Sequence, residues 1–431
     1  MSLHSRIIVA ATAGMIAFAA ALPAWAEKED KGSTHVVVLA GDPTPSGDAY
    51  FTAFDEPMVS AAGTVAFEGS RSTGGRGIYL WDRTSLFTVA ESGDTVDCLG
   101  SLGEDFDGPA VNSSSQVAFV NRKVTLTNKP ALAGPVASTP DSAVLQYDGT
   151  VHILAMTGDD TPGGGTFADF DDISQNENGD VAFLATYNDG GTLHGGVFVA
   201  WADGSLTAIV RDGDLLPGTG GGHLSATYLG RIDGPWMNDR GDVAFQPESV
   251  TGHPLLNESL FLKRKNGNIR PLLLMHSFFK GQEIDRIGLG RPALNNEEVG
   301  FKLSFNDTSD TAPSALATME LEDDAKPQVC LKSDQSAGGG NTFEGFQDPA
   351  LSRGGTLAFG ATINPGELDK IYTCHEKEFQ LIAGQGGARP ARATGNFGSL
   401  EEASTGGGES PWVTFLDEGS SPGVFVGRHG D

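Results

Sequence analysis

The sequence predicts an all-β protein: a seven-bladed β-propeller of four-stranded antiparallel blades, with the last blade closed by the N-terminal strand. Three observations lead to this prediction. A unit of roughly 50 to 65 residues recurs seven times, each unit contains about four strand-like segments, and the two ends of the chain complement each other.

The repeat unit begins with an apolar residue followed by an acidic one. It continues to a Pro, then to an Asn or Ser before a Gly turn, and ends on Val-Ala-Phe. The four clearest copies end at Val65-Ala66-Phe67, Val117-Ala118-Phe119, Val181-Ala182-Phe183 and Val243-Ala244-Phe245, and weaker copies end at Phe301, Phe359 and Phe415. Self-similarity at a fixed period indicates a repeat architecture.

The third copy shows how one unit is built. Residues 170–175 read as a first strand, and 180–186 as a second with β-branched and aromatic residues. Asn176 can hydrogen-bond its own backbone in the turn between them, and Gly179 can take the positive φ. Residues 196–201 and 206–210 complete a meander, and no helical periodicity follows the N-terminal segment.

The two ends of the chain predict how the repeats close. The last unit stops after its third strand, Val424-Phe425-Val426, whereas residues 34–42 offer an extra strand that resembles the fourth strand of the second unit. A single meander leaves apolar faces uncovered, so the units must stack, and a ring closed in this way pairs its open edges.

The Gly turns and the Val-Ala-Phe segments of the repeat resemble the Asn-x-x-Gly-x-x-Ala-Phe repeats of exported bacterial proteins called choice-of-anchor proteins. The matching positions are Asn176, Gly179, Ala182 and Phe183, and the same pattern begins at Asn238. The resemblance implies an exported repeat protein and no particular activity.

The N-terminus is typical of a secretory signal peptide over residues 1–26. Arg6 precedes an apolar run, and Ala24-Trp25-Ala26 forms a small-x-small cleavage site. We expect residues 27–431 to form a single propeller domain that is exported, either periplasmic or secreted. No later segment is long and apolar enough for a membrane span, and no hydrophobic anchor is found at the C-terminus.

The charge is strongly acidic. The chain has 56 acidic and 28 basic residues and a net charge of −28, and loss of Arg6 with the signal peptide changes −28 to −29. Such a surface disfavours nucleic acid binding, because it repels the phosphates and no release of counterions can drive the association. It favours cations, cationic partners or simple solubility.

The three cysteines are Cys98, Cys330 and Cys374. They cannot all pair within one chain, and their spacing matches no zinc site. A Cys330–Cys374 disulfide is compatible with export, and isolated buried thiols are an equal alternative.

The main candidate site is a ring of carboxylates. The residue after the apolar position of each first strand is Asp55, Asp107, Asp171, Asp233, Gly290, Gln347 and Glu401. First strands line the channel of a propeller, so Asp55, Asp107, Asp171, Asp233 and Glu401 are candidate ligands for Ca²⁺, a cation that prefers oxygen ligands. The alternative is that each Asp caps a turn within its own blade.

Trp236 is a second candidate, for ligand binding. It stands on a first strand where other copies carry small residues, and packing between blades is an equal alternative. The scattered histidines show no metal-site spacing, and no nucleophile elbow occurs.

Two functional hypotheses follow. The first is a monomeric binding or scaffold module for a protein partner, a cation, or a small-molecule or glycan ligand. The second is a metal-assisted hydrolase or lyase acting on an extracellular polymer. Carboxylates without a nearby histidine favour the first, because an acid–base partner is missing.

Overall fold

The computed structural model describes residues 34–126, 141–226, 232–305, 313–338, 340–364, 368–390, 392–408 and 410–429. The predicted signal peptide, residues 1–26, lies outside these described residues. No helix in the described part of the chain is long and apolar enough to cross a membrane.

Seven four-stranded antiparallel sheets form the seven blades of a β-propeller, as the sequence predicts. Blades 1 to 3 consist of Phe51–Val59, Val65–Arg71, Arg76–Trp81 and Leu86–Glu91; Asp105–Val111, Val117–Arg122, Ser142–Tyr147 and Val151–Met156; and Thr166–Gln175, Val181–Asp189, Thr192–Ala200 and Leu206–Arg211. Blades 4 and 5 consist of Ile232–Met237, Val243–Pro247, Leu260–Lys263 and Ile269–Leu273; and Gln282–Gly288, Glu298–Phe305, Ser314–Glu320 and Gln328–Lys332.

Blade 6 has an inner strand in two pieces, Asn341–Phe346 and Ala350–Leu351, followed by Leu357–Asn364, Leu368–His375 and Glu378–Gly384. Blade 7 consists of Leu400–Gly406, Trp412–Asp417, Gly423–Arg428 and His35–Leu39. Shorter strands are Thr95–Val96, Gly100–Ser101, Thr125–Leu126, His223–Leu224, Val250–Thr251, Phe278–Phe279 and Ser336–Gly338, and one 3₁₀ turn spans Pro254–Leu256.

The N-terminal strand closes the ring as predicted. His35–Leu39 pairs antiparallel with Gly423–Arg428, with His35 opposite Val426 and Leu39 opposite Gly423. Arg392 holds the same strand from the side, because its guanidinium donates to the Val37 carbonyl and forms an ion pair with Asp42.

The Val-Ala-Phe segments form the core. The Phe of each second strand is fully buried in all seven blades. In blade 3, Phe183 stacks on Phe198 of the third strand at 6.0 Å between ring centroids, and Phe170 meets it edge-on at 5.7 Å. The period-2 pattern read from the sequence therefore corresponds to the apolar faces that neighbouring blades bury.

The Asn of the repeat has two roles in the turn. Asn176 Oδ1 accepts hydrogen bonds from the backbone N–H groups of Asn178 and Asp180, both at 3.0 Å. Its Nδ2 donates to the Asn238 carbonyl of the next blade at 3.1 Å. The same interblade bond recurs from Asn112 to Asn176, from Asn238 to Asn295 and from Asn295 to Ser352. We call this series of interblade hydrogen bonds the asparagine ladder.

The disulfide left open by the sequence is present. Cys330 on the outer strand of blade 5 is bonded to Cys374 on the third strand of blade 6. Cys98 is an exposed thiol. The cross-link therefore joins two blades rather than stapling one.

Candidate functional site

All five predicted carboxylates occupy one register position of the propeller, at the end of the channel opposite the asparagine ladder. Each lies opposite the residue that follows the core Phe: Asp55 faces Glu68, Asp107 faces Val120, Asp171 faces Leu184, Asp233 faces Gln246 and Glu401 faces Leu416. A β-bulge follows each of them, and bulges re-aim side chains at the rim of a sheet. We call this end the mouth.

The fifth blade corrects the sequence alignment. The residue opposite Lys302 at this register is Gly288, not Gly290. Counting back from Pro292 misplaces the position, because the chain carries two more residues between register position and proline here than in blades 1, 2 and 4. This longer excursion carries Arg291.

Two of the predicted carboxylates come together. Arg122 Nη2 lies 2.7 Å from Asp107 Oδ2 and 2.5 Å from Asp171 Oδ1, and so bridges blades 2 and 3. Asp107, Asp171 and the neighbouring Asp172 each offer an oxygen within 4.8 Å of the others, a grouping that could hold a metal ion. Asp172 also forms an ion pair with Arg291.

The carboxyl group of Asp107 is electrostatically unusual. Burial and a hydrogen bond shared with Asp171 raise the pKa of Asp107 to about 7, although Arg122 opposes the rise. A carboxyl group with a pKa near neutrality can exchange a proton at physiological pH. A role in capping a turn within one blade does not by itself account for this raised pKa.

Asp55 and Glu401 lie elsewhere around the mouth. The backbone N–H of Glu56, beside Asp55, donates to Glu402 Oε2 of blade 7 at 2.8 Å. Opposite Asp55, Glu68 is 4% exposed and accepts from Arg76 at 2.6 Å, and its burial raises its pKa to about 7. Glu401 accepts a hydrogen bond from Ser399. These two predicted ligands are not part of the metal-capable grouping.

Asp233 lines a cavity of about 720 Å³ that spans blades 3 to 6 at the mouth. Water reaches its carboxylate through the cavity, yet the surrounding protein still desolvates it, and this desolvation together with Glu258 raises its pKa. The charged lining residues are six carboxylates and three cations: Asp172, Asp233, Glu248, Glu258, Asp285 and Asp348 with Arg286, Arg291 and Lys302. The lining is therefore polar with a net charge of −3.

Trp236 forms part of the cavity wall. Only 5% of the residue is exposed, and its ring packs between blades 4 and 5 against Ala244 and Ala293. Its Nε1 donates to the Gly290 carbonyl at 2.8 Å. Trp236 therefore has the packing role that the sequence analysis gave as an alternative, and it also lines the cavity.

Several site residues have no signal in the repeat. Two of them, Arg122 and Gln246, lie on second strands. Arg291 lies in the longer inner segment of blade 5, and Glu258 lies in a connecting loop of blade 4. None of them recurs between repeats. Arg122, Arg291 and Gln246 could have been found from the sequence as residues that depart from the repeat near the register position.

Several solved structures are similar to this chain at low sequence identity. An acylaminoacyl peptidase from Pyrococcus horikoshii is 8% identical over 88% of this chain and 52% of its own, with a TM-score of 0.46. A protein of unknown function from Dyadobacter fermentans is 8% identical over 93% and 99%, with a TM-score of 0.36. An alpha-L-arabinanase from Penicillium chrysogenum is 12% identical over 92% and 98%, with a TM-score of 0.35.

These similarities concern the fold alone. The chain spans about half the length of the peptidase. No curated protein sequence matches the chain. One family model matches in three overlapping segments, residues 9–107, 100–275 and 257–407, as a chain built from repeats would produce. The chain therefore belongs to the family of unknown function DUF7453.

Proposed function

We propose that this protein is an exported binding module whose ligand, a polar and hydroxyl-rich small molecule or glycan, enters the cavity at the mouth. The observation that carries the proposal is the cavity of about 720 Å³ with its polar lining. That volume lies within the range of small-molecule sites in proteins, about 300 to 1,000 Å³.

The lining argues for hydroxyl groups on the ligand. It offers hydrogen-bond donors on Arg286 and Lys302, acceptors on the carboxylates, and the hydroxyl groups of Ser304 and Ser314. A ligand that buries these groups must replace their water or leave them unsatisfied, which is unfavourable. A polyhydroxylated molecule can both donate and accept, and so meets this requirement.

Gly345 provides a test of the site. It lines the cavity, and a Cβ added there would meet no atom within 4 Å, so Gly345→Trp should fill the cavity with little strain. We expect an oligosaccharide array to identify a glycan bound by the native protein, and Gly345→Trp to weaken that binding at least about tenfold.

Gly408→Trp is the matched control. A Cβ at Gly408 also meets open space, but Gly408 does not line the cavity. Its binding should equal that of the native protein. Equal binding by Gly345→Trp, or no glycan bound by the native protein, would contradict the proposal.

A divalent cation, Ca²⁺ in particular, is proposed as an additional ligand of Asp107, Asp171 and Asp172. Their oxygens lie close enough together, and carboxylates are the ligands that Ca²⁺ prefers. Arg122 and Arg291 already neutralise part of this charge, so the ion must displace guanidinium groups. That competition predicts weak binding.

A hydrolase or lyase acting on an extracellular polymer is the second candidate function. The pKa of about 7 at Asp107, next to a second carboxylate, suits a general acid. Release of reducing ends from polysaccharides by the native protein, lost in Asp107→Asn, would support it. Release that survives Asp107→Asn would exclude this assignment.

A further inference from the structure

We propose that the cavity at the mouth recognises an amino sugar, whose ammonium group lies between Asp233 and Glu258. This inference rests on the proposed function and names the chemistry of the ligand. It follows from the charges that are left unpaired in the cavity and from one buried amide side chain.

The cavity has an excess of unpaired negative charge. Lys302 pairs with Asp348 at 2.6 Å, and Arg291 pairs with Asp172. Among the described residues, no ion-pair partner is found for Asp233, Glu258 and Asp285, or for Arg286. Glu248 has an interaction of its own within the protein and is not counted as unpaired. The other three carboxylates against one guanidinium leave −2, so a ligand that brings positive charge is favoured.

Asp233 and Glu258 face the same space. After desolvation, the negative charge of Glu258 is the next cause of the raised pKa of Asp233, and Arg286 opposes it. Gln246 lies next to both residues, since it pairs with Asp233 across the sheet and its side-chain amide donates to the backbone carbonyl of Glu258 at 2.9 Å. A cation bound here would relieve the repulsion between the two carboxylates.

The amide of Gln246 points independently to a donor group on the ligand. Gln246 is 3% exposed and lines the cavity. Its Nε2 is used by the Glu258 and Ile287 carbonyls, at 2.9 and 3.2 Å. Among the described residues no group donates to its Oε1, so a ligand that displaces cavity water from this acceptor must supply a donor such as an ammonium or hydroxyl group.

An organic ammonium fits this place better than a metal ion. In the described part of the chain, the one grouping of three or more metal-capable side chains is Asp107, Asp171 and Asp172, and neither Asp233 nor Glu258 belongs to it. Two carboxylates and an amide oxygen match the three N–H donors of a primary ammonium group. The remaining polar lining, including Arg286, is then available for sugar hydroxyl groups.

The test is calorimetric titration of the chain without its predicted signal peptide. The probes are tetramers of glucosamine, N-acetylglucosamine and glucose, with trilysine as a cation that lacks hydroxyl groups. We expect the glucosamine tetramer to bind at least about tenfold more tightly than its acetylated form. Asp233→Asn and Glu258→Gln should each remove that advantage, whereas Asp203→Asn, an exposed residue at the opposite end, should retain it.

Two outcomes overturn the inference while the proposed function survives. Tetramers that bind equally with and without acetyl groups, and that are lost in Gly345→Trp, would show a glycan site without ammonium recognition. Trilysine binding more tightly than the glucosamine tetramer would show that charge alone is read. If none of the four probes binds, the proposed function fails for these ligands and the amino-sugar assignment fails with it.

Discussion

The two ends of the channel use the repeat differently. At the ladder end, the repeated Asn satisfies its own turn and the neighbouring turn with the same bonds from blade to blade. At the mouth, one register position carries Asp, Gly, Gln or Glu, and the pairings formed at this position and beside it differ between blades. Uniform residues therefore serve the fold, and the divergent positions supply the candidate site.

The electrostatics differ in the same way. The Asp of the ladder-end turn, Asp180, accepts from the backbone of Ala202 and from Asn176, all within one blade. At the mouth, Asp107 of blade 2 and Asp171 of blade 3 both form ion pairs with Arg122, and the pKa of Asp107 is raised to about 7. The comparison shows where this fold tolerates unfavourable burial of charge, which is characteristic of functional sites.

The largest expected effect comes from opening the ring, on which both ends depend. Deleting residues 27–42 removes the strand paired with Gly423–Arg428 and the ion pair to Arg392. We expect unfolding free energy to fall by about 5 kcal/mol or more, because a whole ladder of backbone hydrogen bonds and its buried Val side chains are lost. A melting temperature equal to that of the undeleted chain would refute the closure.

The asparagine ladder should be the next most sensitive feature. Asn176→Ala removes two accepted and two donated hydrogen bonds at a site that is 3% exposed, which should cost about 3 kcal/mol in chemical denaturation.

Asn176→Ser is the matched variant. Ser60 and Ser352 already serve as turn acceptors in blades 1 and 6, so the substituted hydroxyl should retain the two accepted turn bonds. It should lose the two bonds that Nδ2 donates, to Asp180 and to the Asn238 carbonyl, and the loss should be about half as large. Equal losses for the alanine and serine variants would mean that the two donated bonds carry the whole effect.

Gly241 tests the packing of the ladder end. Its φ is +79°, and an added Cβ would lie 2.9 Å from the Trp201 ring of the preceding blade. Gly241→Val should therefore cost about 2 kcal/mol, through backbone strain and displacement of the ring. Gly386→Val separates the two causes, because Gly386 has a similar φ of +77° and open space around it. The stability loss of Gly241→Val should exceed that of Gly386→Val by the contribution from displacing the Trp201 ring.

The mouth should respond to pH. The pKa of Asp107 in the folded protein, about 7, lies above its unfolded value, so its stabilising contribution is present in acid and is lost as pH rises through 7. Relative to Asp107→Asn, the native protein should lose about 2.5 kcal/mol between pH 5 and pH 8, because about two pH units separate pH 5 from the folded pKa and each is worth about 1.4 kcal/mol.

Asp203→Asn is the control for the pH series. Hydrogen bonds from Ser205 hold the pKa of Asp203 below its usual range, so its ionisation does not change between pH 5 and pH 8. Its stability difference from the native protein should be flat across that range. A flat difference for Asp107→Asn as well would contradict the electrostatic contrast between the two ends.

The smallest expected effect is that of a divalent cation. We expect CaCl₂ to raise the melting temperature by a degree or two, about 0.5 kcal/mol, beyond NaCl at matched ionic strength. MgCl₂ should do less, because Mg²⁺ requires a stricter geometry. Asp107→Asn and Asp171→Asn should abolish the difference. Identical responses to all three salts would leave only general screening of the negative charge.

The repeat accounts for how much the sequence predicted. Val181, Ala182 and Phe183 recur with a fixed alternation, and each unit needs the same buried face and the same turn, so blade number and strand order could be read directly. The unpaired strand at 34–42 likewise predicted the closure, because a sheet edge needs a partner.

The site could be predicted only in part. The sequence identified Asp107 and Asp171 as equivalent positions, but their bridging by Arg122 depends on how two blades face each other. The blade 5 position was assigned to Gly290 instead of Gly288, because two additional residues before Pro292 leave the repeat pattern intact while shifting its register.

The sequence by itself determined the local structure of every blade, since alternation and turn chemistry act between residues that are close along the chain. The tertiary structure alone decided which carboxylates share an arginine and which face the cavity. Those outcomes depend on distances between side chains from different blades, such as Asp172 and Arg291, and on the burial that raises the pKa values of Asp107 and Asp233. Neither quantity has a period in the sequence.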